Sequence, residues 1–315
     1  MICDPTFEDV LAAAERIRGH VHRTPVMTSE AIDEIAGARL HFKCENLQKV
    51  GAFKARGATN AVLSLDVEAA GRGVATHSSG NHAAALAYAA GIRGVPAHVV
   101  MPSSAPPVKK AAVAGYGALI TECEPTLEAR ETTLGAVVER TGATFIHAYD
   151  NPMVIAGQGT ASLELITDVP DLDAVMAPVG GGGLMSGTAI AVSASRPDIT
   201  IWGSEPAGAD DAFRSLRDDT LYPSVKPNTI ADGLLTSLSD RTFRILGERL
   251  EGILTVSEEN IIRAMRLLWE RMKIIVETSG AVPLAAVLEH PDRFSSRRVG
   301  LIISGGNVDL GHLPW

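Results

Sequence analysis

Lys54 stands in the segment Lys49-Val50-Gly51-Ala52-Phe53-Lys54-Ala55-Arg56-Gly57. A lone lysine is nearly always a solvated charge. This one follows an apolar Ala-Phe pair and is bracketed by glycines, the setting of a crowded, half-buried position. An amine that loses solvation becomes a nucleophile and can form a Schiff base. Four consecutive glycines, Gly180 to Gly183, offer a second chemistry. Glycine lets the backbone come close to a ligand, and the N–H groups of a first helical turn face an anion. A phosphate fits such a loop, although a glycine run alone is as often a flexible turn. The spacing matches neither the Walker loop nor the dinucleotide fingerprint. A third candidate is the loop Glu205-Pro206-Ala207-Gly208-Ala209-Asp210-Asp211. Its carboxylates and a backbone carbonyl can hold a hard divalent cation with water, but spacing alone favours a solvated acidic loop.

The elements around these residues repeat one unit: a short apolar strand, a Gly- or Ser-rich turn, then a helix. Gly73 to His77 leads into Ser78-Ser79-Gly80-Asn81 and an Ala-rich helix from His82 to about Ala90. Ala174 to Val179 leads into the four glycines and a helix from about Leu184. Val299 to Ile303 ends in Ser304-Gly305-Gly306-Asn307, and Ala97 to Met101 and Thr200 to Gly203 read as further strands. Strands alternating with helices predict an α/β fold of parallel sheets covered on both faces. Ligands in such sheets bind beyond the carboxyl ends of the strands, where all three Ser/Gly loops fall. An amphipathic helix opens the fold, with Thr6 as its cap, Asp9 three residues on, and Val10, Ala14 and Ile17 on one face.

Composition narrows the function classes. A net charge of −9 without a basic block gives nucleic acid little to bind. No run of about 18 apolar residues is present to span a membrane. Cys3, Cys44 and Cys123 are an odd, scattered set, which predicts reduced thiols rather than a disulfide framework. With an acidic first ten residues and no signal-peptide pattern, the expected compartment is the cytoplasm. With 315 residues and 46% hydrophobic content, the chain can build two lobes; aromatic residues are only 4%, so Ala, Val, Leu and Ile must make most of the core.

Four motifs occur together in order: Glu45-Asn46-Leu47-Gln48 through Lys54 and Arg56-Gly57-Ala58; Ser78-Ser79-Gly80-Asn81-His82; Pro178-Val179 with the glycines; and Ser304-Gly305-Gly306-Asn307. In this the chain resembles the fold type II pyridoxal 5′-phosphate (PLP) enzymes, specifically the serine/threonine dehydratase and serine racemase group, from about Thr24 to Leu310. The resemblance implies that Lys54 carries PLP as a Schiff base and acts as base at Cα, with Ser79 as acid or base on the opposite face. It implies that Phe53 packs on the ring, that Asn81 bonds the ring hydroxyl, and that Glu277 lies near the ring. Gly180, Gly181, Gly182, Gly183 and Leu184 would hold the phosphate through backbone N–H groups, and Ser304 would face the pyridine nitrogen. A serine there enforces a protonated ring less than a carboxylate would, which suits β-elimination. Ser78, Asn81 and His82 would take the substrate's α-carboxylate. Glu205, the Ala209 carbonyl and Asp211 match a Mg²⁺ (or Ca²⁺/Mn²⁺) site. Arg130 is an ordinary helix-surface charge by type, open to pairing with Glu131, but it matches a position facing the substrate pocket, where it can bind a second carboxylate.

The resemblance therefore implies a large PLP-binding domain of residues 1–72 and 151–315, and a small mobile domain of residues 73–150. The implied reaction removes water and ammonia from a small β-hydroxy amino acid: serine, threonine or, through Arg130, 3-hydroxyaspartate. Racemisation through Ser79, β-replacement and a non-catalytic PLP carrier are the rival readings. A homodimer is the family expectation. Ala52, Ala84 and Thr278 stand where Ser, Gln and Pro are usual, and they leave the substrate open.

Overall fold

Short apolar runs buried along their whole length form the inner strands of this chain, as parallel strands covered on both faces must be. Ala174–Pro178 is buried at all five positions, and Val299 to Ile303 likewise. A computed structural model describes residues 4–315; Met1 to Cys3, including one of the three cysteines, lie outside them. The strands are β1 (Val26–Met27), β2 (Arg39–Cys44), β3 (Val74–His77), β4 (Ala97–Pro102), β5 (Leu119–Cys123), β6 (Thr144–Phe145), β7 (Ala174–Pro178), β8 (Thr200–Pro206), β9 (Gly252–Val256) and β10 (Arg298–Ile303). A six-stranded sheet runs β1-β2-β10-β7-β8-β9, and a four-stranded sheet runs β5-β4-β3-β6. Only β1 is antiparallel to its neighbour. The fold is thus α/β with parallel sheets and covering helices.

Two helices join the sheets. Lys54–Ser64 packs against Asn81–Arg93 of the smaller sheet and against Pro152–Asp168 of the larger one. The second contact is backbone on backbone: a Cβ on Gly157 would lie 2.6 Å from the Gly57 Cα. The opening helix is Phe7–Arg16. Thr6 and Asp9 form a reciprocal capping box at its start, and Val10 and Ile17 are buried on its inner face. The core is aliphatic on both faces of the larger sheet, with Phe42, Trp202 and Phe294 among its few aromatic rings. No described helix is long and apolar enough to cross a membrane.

Candidate active site

The ends of β10 and β2 bring two of the sequence motifs together. Phe53 N–H donates to the Ser304 carbonyl at 3.0 Å, Gly306 N–H donates to the Gly51 carbonyl at 2.9 Å, and Ala52 and Gly305 form an isolated bridge. The preceding turn needs left-handed backbone at Val50 (φ 56°) and Gly51 (φ 72°). Lys54 is therefore the first residue of a helix whose start is tied to Ser304. Its Nζ donates to the Ala148 carbonyl at 2.8 Å and lies 5.1 Å from the centre of the Phe53 ring. Burial pushes this amine down to about 8, against the pull of the Glu277 carboxylate.

Glu277 links the sheets from the other side. It accepts from Asn81 Nδ2 at 3.1 and 3.2 Å and from Asn307 N–H at 3.2 Å, while Asn307 Nδ2 donates to Asn81 Oδ1 at 2.9 Å. Burial raises its carboxyl to about 7, the Asn81 hydrogen bond opposing the rise. The Asn81 amide is thus engaged on both its atoms, and the start of the Asn81–Arg93 helix is joined to the Ser304 motif.

The glycine loop follows β7, as read from the sequence, and leads into the helix Gly183–Ser195. Its glycines have a steric reason. A Cβ on Gly181 would lie 2.4 Å from the Tyr149 ring, and one on Gly182, at φ 84°, would lie 2.8 Å from Leu238 and from Thr242. Among the described residues, no protein acceptor meets the N–H groups of Gly180 to Leu184. Tyr149 and its neighbour His147 were not singled out from the sequence. They belong to a row of rings, His77–Phe145–His147–Tyr149, with centroids 5.9, 5.7 and 4.5 Å apart. The available signal was alternation: rings at 145, 147 and 149, just before the Asn151-Pro152 helix start.

Ser78, Ser79 and Gly80 form the turn after β3. Neither serine hydroxyl donates to a protein acceptor among the described residues. The His82 side chain is committed to the protein: Nε2 donates to the Ile146 carbonyl at 3.1 Å, and burial holds the imidazole neutral, near 3. What His82 and Asn81 leave free is their backbone N–H groups at the helix start. Arg130 lies on the helix Leu127–Thr141. Its Nε makes a long 3.4 Å contact with the Thr126 carbonyl, and among the described residues no carboxylate, Glu131 included, pairs with it. After burial itself, its charge is the largest influence holding His77 below the usual histidine range. The helix that carries Arg130 packs on β3 and β4, and β3 ends at His77, the residue that precedes Ser78. At the end of β8, Glu205 and Asp211 are both about 1% exposed. Glu205 accepts from the Ala212 and Phe213 N–H groups at 3.2 and 2.9 Å, whereas both Asp211 oxygens are buried without a partner. Burial raises both carboxyls, Asp211 to about 6.

Residues 17–305 match the model of a family described as pyridoxal-phosphate dependent enzyme. The chain belongs to that family. A beta-hydroxyaspartate dehydratase of Paracoccus denitrificans is 51% identical over 99% of both chains. A serine racemase of Dictyostelium discoideum is 52% identical over 98% of this chain and 96% of its own. Its crystal structure superposes with a TM-score of 0.94 over 97% of this chain and 99% of that one. A threonine deaminase crystal structure (T.th.) has 48% identity and a TM-score of 0.93, covering 97% of this chain and 99% of that one.

The residues present fit PLP. A half-buried amine of lowered basicity has only a backbone carbonyl as partner. A loop of unpartnered N–H groups at a helix start fits the phosphate. The chain is a PLP-dependent enzyme of fold type II. The Glu205–Asp211 loop likewise carries an orphaned buried carboxylate, a donor a cation would satisfy. Among the described residues no cluster of three Asp, Glu, His or Cys side chains could hold a metal, so any site there needs the Ala209 carbonyl or water.

Proposed function

We propose that the enzyme removes water from 3-hydroxyaspartate, giving a 2-oxo dicarboxylic acid and ammonia. One observation carries the reading: among the described residues Arg130 has no acidic partner, and its helix packs on β3, the strand that ends at His77 and leads into the Ser78 turn. A substrate with one carboxylate would use the N–H groups of Asn81 and His82 and leave Arg130 unmatched. A second carboxylate matches it. The beta-hydroxyaspartate dehydratase relative supports the same choice.

When bound, PLP supplies the electron sink that makes the Cα proton acidic. Lys54 would hold it, with Gly180 to Leu184 on its phosphate, Phe53 on its ring, Ser304 at its nitrogen and Asn81 and Glu277 at its edge. Lys54 then receives the Cα proton at Nζ. The Asn81–Arg93 helix start fixes the α-carboxylate, and Arg130 draws the other end of the substrate toward the small sheet. The β-hydroxyl leaves with a proton as water, and the released enamine hydrolyses to the oxo acid and ammonia. Glu205, Asp211 and the Ala209 carbonyl would hold Mg²⁺ as a brace for their loop, outside the chemistry. We take the compartment to be the cytoplasm, consistent with free thiols at Cys44 and Cys123, and the working form to be a dimer with residues 73–150 closing on the substrate.

Amino-acid racemisation is the second reading. It is favoured by Ser79, whose hydroxyl is uncommitted to the protein, and by the serine racemases among the relatives. Assay of 2-oxo acid and of enantiomer exchange with 3-hydroxyaspartate isomers, serine and threonine separates the two. Arg130→Ala should lose about ten- to a hundredfold in kcat/KM on 3-hydroxyaspartate and little on serine. Equal loss on both would return the enzyme to plain serine/threonine dehydration.

A further inference from the structure

His147 belongs to the row of rings that borders Lys54 and the glycine loop, and it has no part in the proton transfer at Cα. His147 Nδ1 accepts two backbone N–H groups, from Asp150 at 2.9 Å and Tyr149 at 3.3 Å. A nitrogen that accepts twice carries no proton, so the imidazole is fixed as the tautomer with hydrogen on Nε2. The turn that fixes it is itself anchored. Asp150 pairs with Arg241, and Asn151 Oδ1 caps the next helix through the Met153 and Val154 N–H groups. The remaining Nε2–H has no acceptor among the described residues and, unlike His77 Nδ1 and His82 Nδ1, is not sealed away from solvent.

The surroundings of His147 are the site itself. The next residue's carbonyl receives the Lys54 amine. Tyr149, on one side of the ring, lies against the glycine loop, and on the other the row leads through Phe145 to His77, next to Ser78. We propose that His147 contacts the substrate directly, donating its Nε2–H to an oxygen on the substrate's side chain. This rests on the cleft being an amino-acid site. Burial holds the ring neutral, near 4, despite the opposing charge of Asp150. A neutral imidazole donates a hydrogen bond but is far too weak an acid to protonate a leaving group. Its contribution is recognition: substrates with a side-chain oxygen are held, and those without one cover the donor without matching it. The oxygen can belong to a hydroxyl or to a carboxylate.

The test uses the PLP-loaded enzyme and reads ligand binding from its visible absorbance. Alanine and aspartate are titrated at equilibrium and serine by stopped flow. In His147→Asn, Oδ1 replaces Nδ1 as the acceptor of the loop, while the distal donor is lost. Binding should weaken about three- to tenfold for serine if a hydroxyl is the partner, and about ten- to a hundredfold for aspartate if a carboxylate is. Alanine should change less than about twofold, and the melting temperature should hold. In His147→Gln the distal donor is retained and the loop acceptor lost. That variant should melt lower yet keep the preference for serine or aspartate over alanine. Uniform weakening of all three ligands, no weakening of any, or identical losses in both variants would overturn the proposal. If the wild type makes no oxo acid from 3-hydroxyaspartate, the proposed function fails, while these titrations still decide the role of His147.

Discussion

Two clusters of charged and polar side chains flank the start of the same helix, and they are built on opposite terms. Arg56, two residues after Lys54, is completely buried and satisfied. Its guanidinium donates to Glu45 at 2.8 Å from Nε and from Nη2, and to both Glu164 oxygens at 2.8 Å. Lys43 Nζ adds contacts to Glu164 at 2.6 Å and to the Thr24 carbonyl at 2.7 Å. Burial pushes Glu164 up, but Arg56 and Lys43 together outweigh it and hold the carboxyl below its ordinary range. Burial still lowers Lys43 on balance, but its amine keeps a direct carboxylate partner. Across the cleft, among the described residues, no group has a direct partner of opposite charge: Lys54 Nζ meets a backbone carbonyl and is depressed, Glu277 meets only amide donors and is raised, Arg130 has no carboxylate, and His147 Nε2 has no acceptor. A charge that only braces the fold is neutralised inside the protein. A group meant for a ligand is left short by the contact the ligand would supply.

Substitutions on each side should therefore fail differently. Lys54→Ala should remove nearly all turnover, about 10²–10⁴-fold or more, and the visible band of the covalently held cofactor, with little loss of stability. Retention of a borohydride-reducible linkage would show that another amine holds PLP. Arg56→Met should do the reverse. It leaves Glu45 buried without its cation and Glu164 with Lys43 alone, and urea unfolding should show about 3–5 kcal/mol of lost stability. A fall in activity with unchanged unfolding would place Arg56 with the site instead.

Glu277 sharpens the contrast because its cost depends on pH. Its folded pKa, about 7, lies above the unfolded value, so the folded state binds more protons in between. The stability it contributes is lost as pH rises from the ordinary carboxylate range to about 7, by about 3 kcal/mol in all. Glu277→Gln removes this term. The melting temperature of the variant relative to wild type should thus rise between pH 5 and pH 8. A constant difference would mean that Asn81 and Asn307 already balance the charge. The smallest effect is expected at the acidic loop. Mg²⁺ at a hundredfold excess over its Kd would stabilise by about 2.7 kcal/mol, and chelation should lower the melting temperature accordingly. No change would leave Glu205 and Asp211 as buried acids held without metal.

The parts legible in the chain were those with local causes. The capped opening helix, the fully apolar strands and the Ser/Gly turns at their ends each follow from neighbouring residues, and the parallel α/β fold follows from their alternation. Segments with weaker or mixed patterns are not legible: β5, partly exposed along its length, β6 of only two residues, the half-buried β1, β2 with its Arg39, His41 and Lys43, and β9 with its Gly252 and Thr255. His147 and Tyr149 were missed for a related reason. Their roles come from two backbone N–H groups and a glycine loop, contacts that exist only after the turn has formed.

The sequence by itself determined which residue types are present for the chemistry, Lys54 among them, and that the four glycines and the Ser78 and Ser304 turns fall at strand ends. Only the tertiary structure decided which of them are left unsatisfied. It tied the His82 ring to the Ile146 carbonyl, engaged both atoms of the Asn81 amide, buried Asp211 without a partner, and kept Arg130 from every carboxylate among the described residues. The physical reason is that burial and pairing are properties of assembled neighbours. A residue's type states which hydrogen bonds and charges it can offer, and the packing of distant segments decides which of those offers remain open to a ligand.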